Sequence, residues 1–137
     1  MTHAELTSDV RAFFEAYNEA FASFDGHRIA TLYHLPTMTV RGDGSVHCLR
    51  SREELARFFQ GVADTYRSDG SAGSRFEELQ VGPIGGRSAL ATLDWKMLRS
   101  DGSLIREWRM SYNLVRVATG WQILVSTFHL PSATQTA

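Results

Sequence analysis

A chain of 137 residues has room for one domain with a sizeable core, but not for two. Its apolar fraction of 43% and charged fraction of 21% are those of an ordinary globular protein. With 14 basic residues against 15 acidic ones, the formal charge of −1 argues against nucleic acid or an anionic membrane surface as the main partner.

Every basic residue except Lys96 is an arginine, and the arginines are scattered rather than clustered into a phosphate-binding stripe. The single Cys48 excludes an internal disulfide and every multi-cysteine zinc pattern. The opening "MTHAELTSDVRAFF" lacks the basic region and apolar run of a signal peptide. No uncharged apolar stretch approaches the roughly 20 residues that span a bilayer. The expected location is therefore the cytoplasm.

The first predicted element is a helix beginning near residue 3, where Thr2 and Glu5 have capping-box spacing. Leu6, Val10, Phe13, Phe14, Tyr17, Phe21 and Phe24 fall at helical spacing and form one broad apolar stripe. "FDG" at 24–26 stops it. Asp25 can then cap a short second helix carrying Ile29, Leu32 and Tyr33, which Pro36 ends from just beyond. Residues 37–41 and 46–50 read as short strands around the turn "GDGS". Ser51-x-x-Glu54 opens a third helix, whose apolar face is Leu55, Phe58, Phe59, Val62 and Tyr66.

After "SDGSAGS", residues 75–130 read as four strands. If Asp101-Gly102 forms a two-residue turn, Lys96 pairs with Glu107, Asp94 with Arg109, Trp95 with Trp108 and Leu93 with Met110. A one-residue slip would instead set Lys96 against Arg106 and Trp95 against Glu107. Cross-strand pairs contribute roughly 0.2–1 kcal/mol each, so the first register wins. It gathers Trp95, Trp108, Met110, Tyr112 and Leu114 on an inner face that the helices must cover.

For the last strand, a turn centred on Thr119-Gly120 places Trp121, Ile123, Val125, Thr127 and His129 inside. A three-residue loop with a bulge would turn His129 outward. The first arrangement is preferred because it stacks Trp121, Ile123 and Val125 on the buried side. The outer face mixes Asp94, Lys96, Glu107 and Arg109 with Leu90, Leu98 and Ile105. It is either a homodimer surface or a set of scattered exposed side chains.

Three helices with a short hairpin before the third, followed by a long curved antiparallel sheet, resemble the NTF2-like superfamily. That superfamily includes ketosteroid isomerases and SnoaL-type polyketide cyclases. The residues that carry the resemblance are "FFEAYNEAFASFDGHRIATLYH", "SREELARFF" and "ALATLDWKMLRSDG…REWRMSYNLVR…GWQILVSTFH". It implies an α+β, cystatin-like cone of three N-terminal helices on a curved sheet. It also implies a single domain over residues 1–130; the low-complexity tail "PSATQTA" at 131–137 is expected to be frayed.

Against ketosteroid isomerase, Tyr17 matches the oxyanion-hole tyrosine in its spacing from Asp25. Arg41 stands where that family holds its catalytic base, and Asp43 reaches the place only by skipping two residues. No acid lies in the 112–114 neighbourhood of the second oxyanion donor. The resemblance thus implies a pocket but not that reaction.

The expected pocket takes Phe13, Tyr17 and Phe21 from the first helix and Tyr33, Met38 and Val40 from the segment after the second. Phe58 and Phe59 come from the third helix. The sheet supplies Trp95, Trp108, Met110, Tyr112, Val125, Thr127 and His129. The expected occupant is a small, mostly apolar molecule. Candidate catalytic groups are His129 as acid or base, with Tyr17 and Tyr112 polarising a ligand oxygen. His34 reads as a helix C-terminal residue. No cofactor motif is present, and no metal is assigned, because no two histidines have helical i, i+4 spacing.

Overall fold

The computed structural model describes residues 1–131; the expected frayed tail, from residue 132 onward, lies outside the described residues. Helix α1 (His3–Ala22) starts where Glu5 N–H donates to Thr2 Oγ1 at 3.1 Å. It ends as Phe24 enters the left-handed region at φ 55°. Helix α2 (Gly26–Ala30) is capped by Asp25 Oδ1, which accepts from His27 N–H at 3.0 Å. Helix α3 (Arg52–Ser68) is capped by Ser51, whose Oγ accepts from Glu54 N–H at 3.1 Å. One boundary differs from expectation. Helix α2 stops at Ala30, so Tyr33, His34 and Pro36 belong to the following strand, β1 (Tyr33–Val40). His34 is therefore a strand residue, its Nδ1 lying 3.1 Å from the Pro36 carbonyl, and not a helix C-terminal residue.

The other strands are β2 (Val46–Leu49), β3 (Gly73–Ile84), β4 (Ser88–Leu98), β5 (Leu104–Val117) and β6 (Gly120–Phe128). They form one sheet in the order β2-β1-β6-β5-β4-β3, antiparallel throughout except for the β1–β6 pair. The expected β4–β5 register is found: Trp95 pairs with Trp108, Asp94 with Arg109 and Lys96 with Glu107. Both ion pairs form, at 2.9 Å and 3.3 Å respectively.

The turn that sets this register is not the expected two-residue one. Arg99 N–H bonds Ser103 O at 2.8 Å and Gly102, at φ 86°, bonds back to Arg99 O, which makes a three-residue loop. A register shift between Met97 and Leu98 restores the pairing. The same R-x-D-G-S turn joins β1 to β2 at 41–45. In each, the aspartate Oδ1 accepts from the serine N–H at 2.9 Å and its hydroxyl at 2.6 Å. Asp43 is thus spent on turn geometry.

Strand β6 corrects the sequence reading. Its turn is Ala118-Thr119, which keeps Trp121 and Ile123 inside, opposite Arg116 and Leu114. A bulge at Leu124 then reverses the alternation. Ser126 pairs with Tyr112 and Phe128 with Met110 on the inner face, while Val125, Thr127 and His129 point outward. Strand β1 follows suit, since Met38 pairs with Val125 and Val40 with Thr127. The inward residues of β1 are Thr37 and Thr39, and Arg41, just past the strand, continues that spacing. Thr37 Oγ1 donates to the carbonyl of the bulged Leu124 at 2.9 Å, and Ser126 Oγ donates to Thr39 Oγ1 at 2.8 Å. The buried Thr37 hydroxyl thus meets backbone at the bulge, and the Thr39 and Ser126 hydroxyls satisfy each other.

The core lies between the helices and the inner sheet face. Val10 and Phe14 of α1, Leu55 and Ala63 of α3, and Leu93, Tyr112 and Leu114 of the sheet are fully shielded from water. Burying each large apolar side chain contributes about 1.5–3 kcal/mol.

Candidate functional site

A half-open cavity sits where the C-terminal half of α1 crosses the β4–β5 hairpin. Tyr17, Asn18 and Phe21 line it from α1, and Trp95, Trp108, Met110 and Tyr112 form its floor. Tyr66 near the end of α3 and Arg41 at the end of β1 close one side, and Ser71, Gly73 and Ser74 make the rim. Asn18 Nδ2 donates to Ser74 O at 2.8 Å and ties α1 to that rim.

The space free of protein atoms, open mouth included, is about 540 Å³. That is in the range of small-molecule sites. Beside it is a more open depression lined by Arg41, Phe58, Gly61, Val62, Thr65 and Tyr66. Arg41 and Tyr66 are the wall the two share.

Behind the cavity is a set of buried hydroxyls. Tyr17 and Tyr33 share a hydrogen bond of 2.8 Å, and Trp95 Nε1–H donates to Tyr112 Oη at 2.8 Å. Burial, the largest influence at all three, pushes Tyr17, Tyr33 and Tyr112 well above the ordinary tyrosine value. They remain neutral hydrogen-bond donors near neutral pH and do not serve as bases.

The sequence expectations divide into three groups. Tyr17, Phe21, Trp95, Trp108, Met110 and Tyr112 come together around the cavity. Phe13, Tyr33 and Phe59 pack into the core behind it, and Phe58 lines the neighbouring depression. Met38, Val40, Val125, Thr127 and His129 lie on the opposite side of the sheet, a correction that follows from the Leu124 bulge. His129 is exposed there, with its Nε2 2.7 Å from Ser111 Oγ on the outer face. It cannot act in the cavity.

The lining residues not anticipated are Asn18, Ala22, Phe24, Arg41, Tyr66, Ser71, Gly73 and Ser74. For Arg41 a signal existed, because it follows Thr37 and Thr39 at the two-residue strand spacing. Among the described residues, no three His, Cys, Asp or Glu side chains gather closely enough to hold a metal. No helix among them is long and apolar enough to cross a membrane.

The family profile "NTF2-like protein (DUF6841)" matches residues 5–131. The chain belongs to that NTF2-like family. No curated protein resembles the sequence closely enough to count as a match. Among solved structures, an NTF2-like protein with a cystatin-like fold from Novosphingobium aromaticivorans superposes with a TM-score of 0.73 at 16% identity, covering 93% of this chain and 84% of its own. A cystatin-like protein of unknown function from Nostoc punctiforme gives 0.75 at 9% identity, covering 97% and 96%. A provisionally assigned dehydratase of the NTF2-like family from Streptomyces avermitilis gives 0.72 at 17% identity, covering 96% and 99%. At such identities the likeness shows the fold alone. The NTF2-like fold is common ground, and the chemistry must be argued from this chain's own residues.

Proposed function

We propose that this NTF2-like protein binds a small, mostly apolar ligand in the cavity between α1 and the inner face of β4 and β5. The observation that carries this reading is the lining itself. Phe21, Tyr66, Trp95, Trp108 and Met110 surround an opening that nothing in the described chain fills, with a few polar groups at the rim. That combination is the usual make-up of a small-molecule site. The test is native mass spectrometry of the protein as purified, followed by tryptophan-emission titrations with a panel of small aromatic acids, amides and cyclic ketones. Saturable quenching by panel members is expected. A protein that arrives without a bound molecule and responds to no compound would contradict the proposal.

A second reading, an isomerase, cyclase or dehydratase, draws on the buried tyrosine hydroxyls, which suit a developing negative charge on a ligand oxygen. It lacks a proton acceptor. Among the described residues no Asp, Glu or His lines the cavity, so binding without acid–base turnover is the stronger reading.

We also propose that a second copy of the chain covers the outer face. Met38, Val125, Asn113 and Leu90 form a row across the middle of the sheet, with Met38 and Leu90 44% and 46% exposed. Within that row, Asn113 Oδ1 is shielded from water without a hydrogen-bond partner. Sedimentation at micromolar concentration is expected to give a dimer that Leu90→Arg converts to monomer. A monomeric wild type would refute the interface.

A further inference from the structure

We propose that the ligand carries a single carboxylate and that Arg41 recognises it, an inference that rests on the binding reading above. Arg41 follows β1 directly and points to the inner side of the sheet. Among the described residues it is the one charged side chain lining either the cavity or the depression beside it.

Its guanidinium also lacks a protein counter-charge. Five of the thirteen arginines reach a carboxylate within 4.0 Å; Arg41 is among the rest, and what sets it apart is its place on the cavity wall. It is held instead over the rings of Phe58 at 5.8 Å and Phe128 at 5.3 Å. Contacts of that kind fix the side chain while leaving its five N–H donors unused. The charge is felt in the core behind the cavity. It opposes the upward push that burial gives the Tyr33 hydroxyl.

A half-buried guanidinium with free donors beside aromatic walls suits a planar acid whose carboxylate takes the two-pronged bond and whose ring enters the cavity. A single charge is favoured over a phosphate dianion, because the remaining polar lining groups (Tyr17, Tyr66, Asn18, Ser71 and Ser74) are neutral.

The test compares cinnamate with its uncharged amide, cinnamamide, on wild type, Arg41→Met and Arg41→Lys, by quenching of tryptophan emission. Wild type is expected to prefer cinnamate by about ten- to a hundredfold. Arg41→Met should bind both probes with the affinity wild type shows for cinnamamide, and Arg41→Lys should keep part of the preference. Equal binding of the two probes to wild type, or a preference that survives in Arg41→Met, overturns the assignment and leaves the cavity reading intact. If wild type binds neither probe, the carboxylate assignment falls, and the cavity reading falls with it only if no compound of the panel quenches either. Should Arg41→Met not fold, the wild-type preference and its reduction in Arg41→Lys decide the matter.

Discussion

Gly26→Ala is expected to destabilise the protein by about 3 kcal/mol or more, the upper range for forcing extra volume into a packed contact. A Cβ at Gly26 would run into the Ala56 carbonyl oxygen and lie 2.8 Å from the backbone nitrogen and Cβ of Gln60. None of these atoms can swing aside, because they belong to the packed face of α3. Gly26 N–H donates to Gln60 Oε1 at 2.8 Å, and Gln60 Nε2 donates to Phe24 O at 2.9 Å. The collision therefore strikes the clamp between α2 and α3. That clamp sets the start of β1, where Tyr33 stacks on Phe59 at 4.4 Å and meets Tyr17.

Gly61→Ala, in the same helix pair, serves as the contrast. Nothing lies within 4 Å of an added Cβ there, so it should stabilise by about 0.5–1 kcal/mol through helix propensity alone. Urea titrations of both variants check the pair. Near-equal stabilities for the two would mean that α2 and α3 do not approach as described.

Alkaline unfolding should show the buried tyrosines in the same way. The folded values of Tyr17, Tyr33 and Tyr112 lie well above the unfolded one of about 10. The folded state therefore holds protons that the unfolded state releases. Their contribution is fully present below about pH 10 and is lost as pH rises beyond it, since ionisation favours the unfolded chain. Each phenol that the folded state keeps protonated steepens the loss. Urea titrations between about pH 8 and pH 11 should find stability falling above about pH 10, and Tyr17→Phe should make that fall shallower. If the three phenols ionise near the ordinary value while the fold persists, the hydroxyl cluster is not buried.

Much of the fold was legible because local rules and packing agreed. Thr2, Asp25 and Ser51 have side chains that cap helices, and all three helices begin there. The charge pairs across β4 and β5 admitted one register, and the structure has it. What misled was period-two logic carried unbroken through β6. A bulge costs nothing in composition, so "ILVSTFH" reads as continuous alternation until Leu124 steps out of line. A hint was available in Phe128. Under unbroken alternation from Trp121 it would face water, whereas past the bulge it stacks on Trp108 at 6.0 Å.

Strand β1 is turned over as well. The sequence reading places Met38 and Val40 inward, yet Thr37 and Thr39 go inside, where their hydroxyls meet Leu124 O and Ser126 Oγ. The candidate site shifted accordingly, from His129 to the aromatic floor and Arg41. Tyr66 was legible on the apolar face of the third helix, whereas the 71–74 rim depends on where a loop returns to the sheet, which no local pattern encodes.

The three indole N–H signals can decide whether the inner-face cavity is the ligand site. Trp95 and Trp108 line it, while Trp121 lies at the other end of the sheet, its Nε1–H donating to Asp9 Oδ2 at 2.9 Å under Arg116. In a two-dimensional proton–nitrogen NMR titration with a quenching compound from the panel, the Trp95 and Trp108 signals should move to saturation. The Trp121 signal should stay in place. Movement of Trp121 with Trp95 and Trp108 unmoved, or no saturable shift with any compound, would contradict a ligand site on this face.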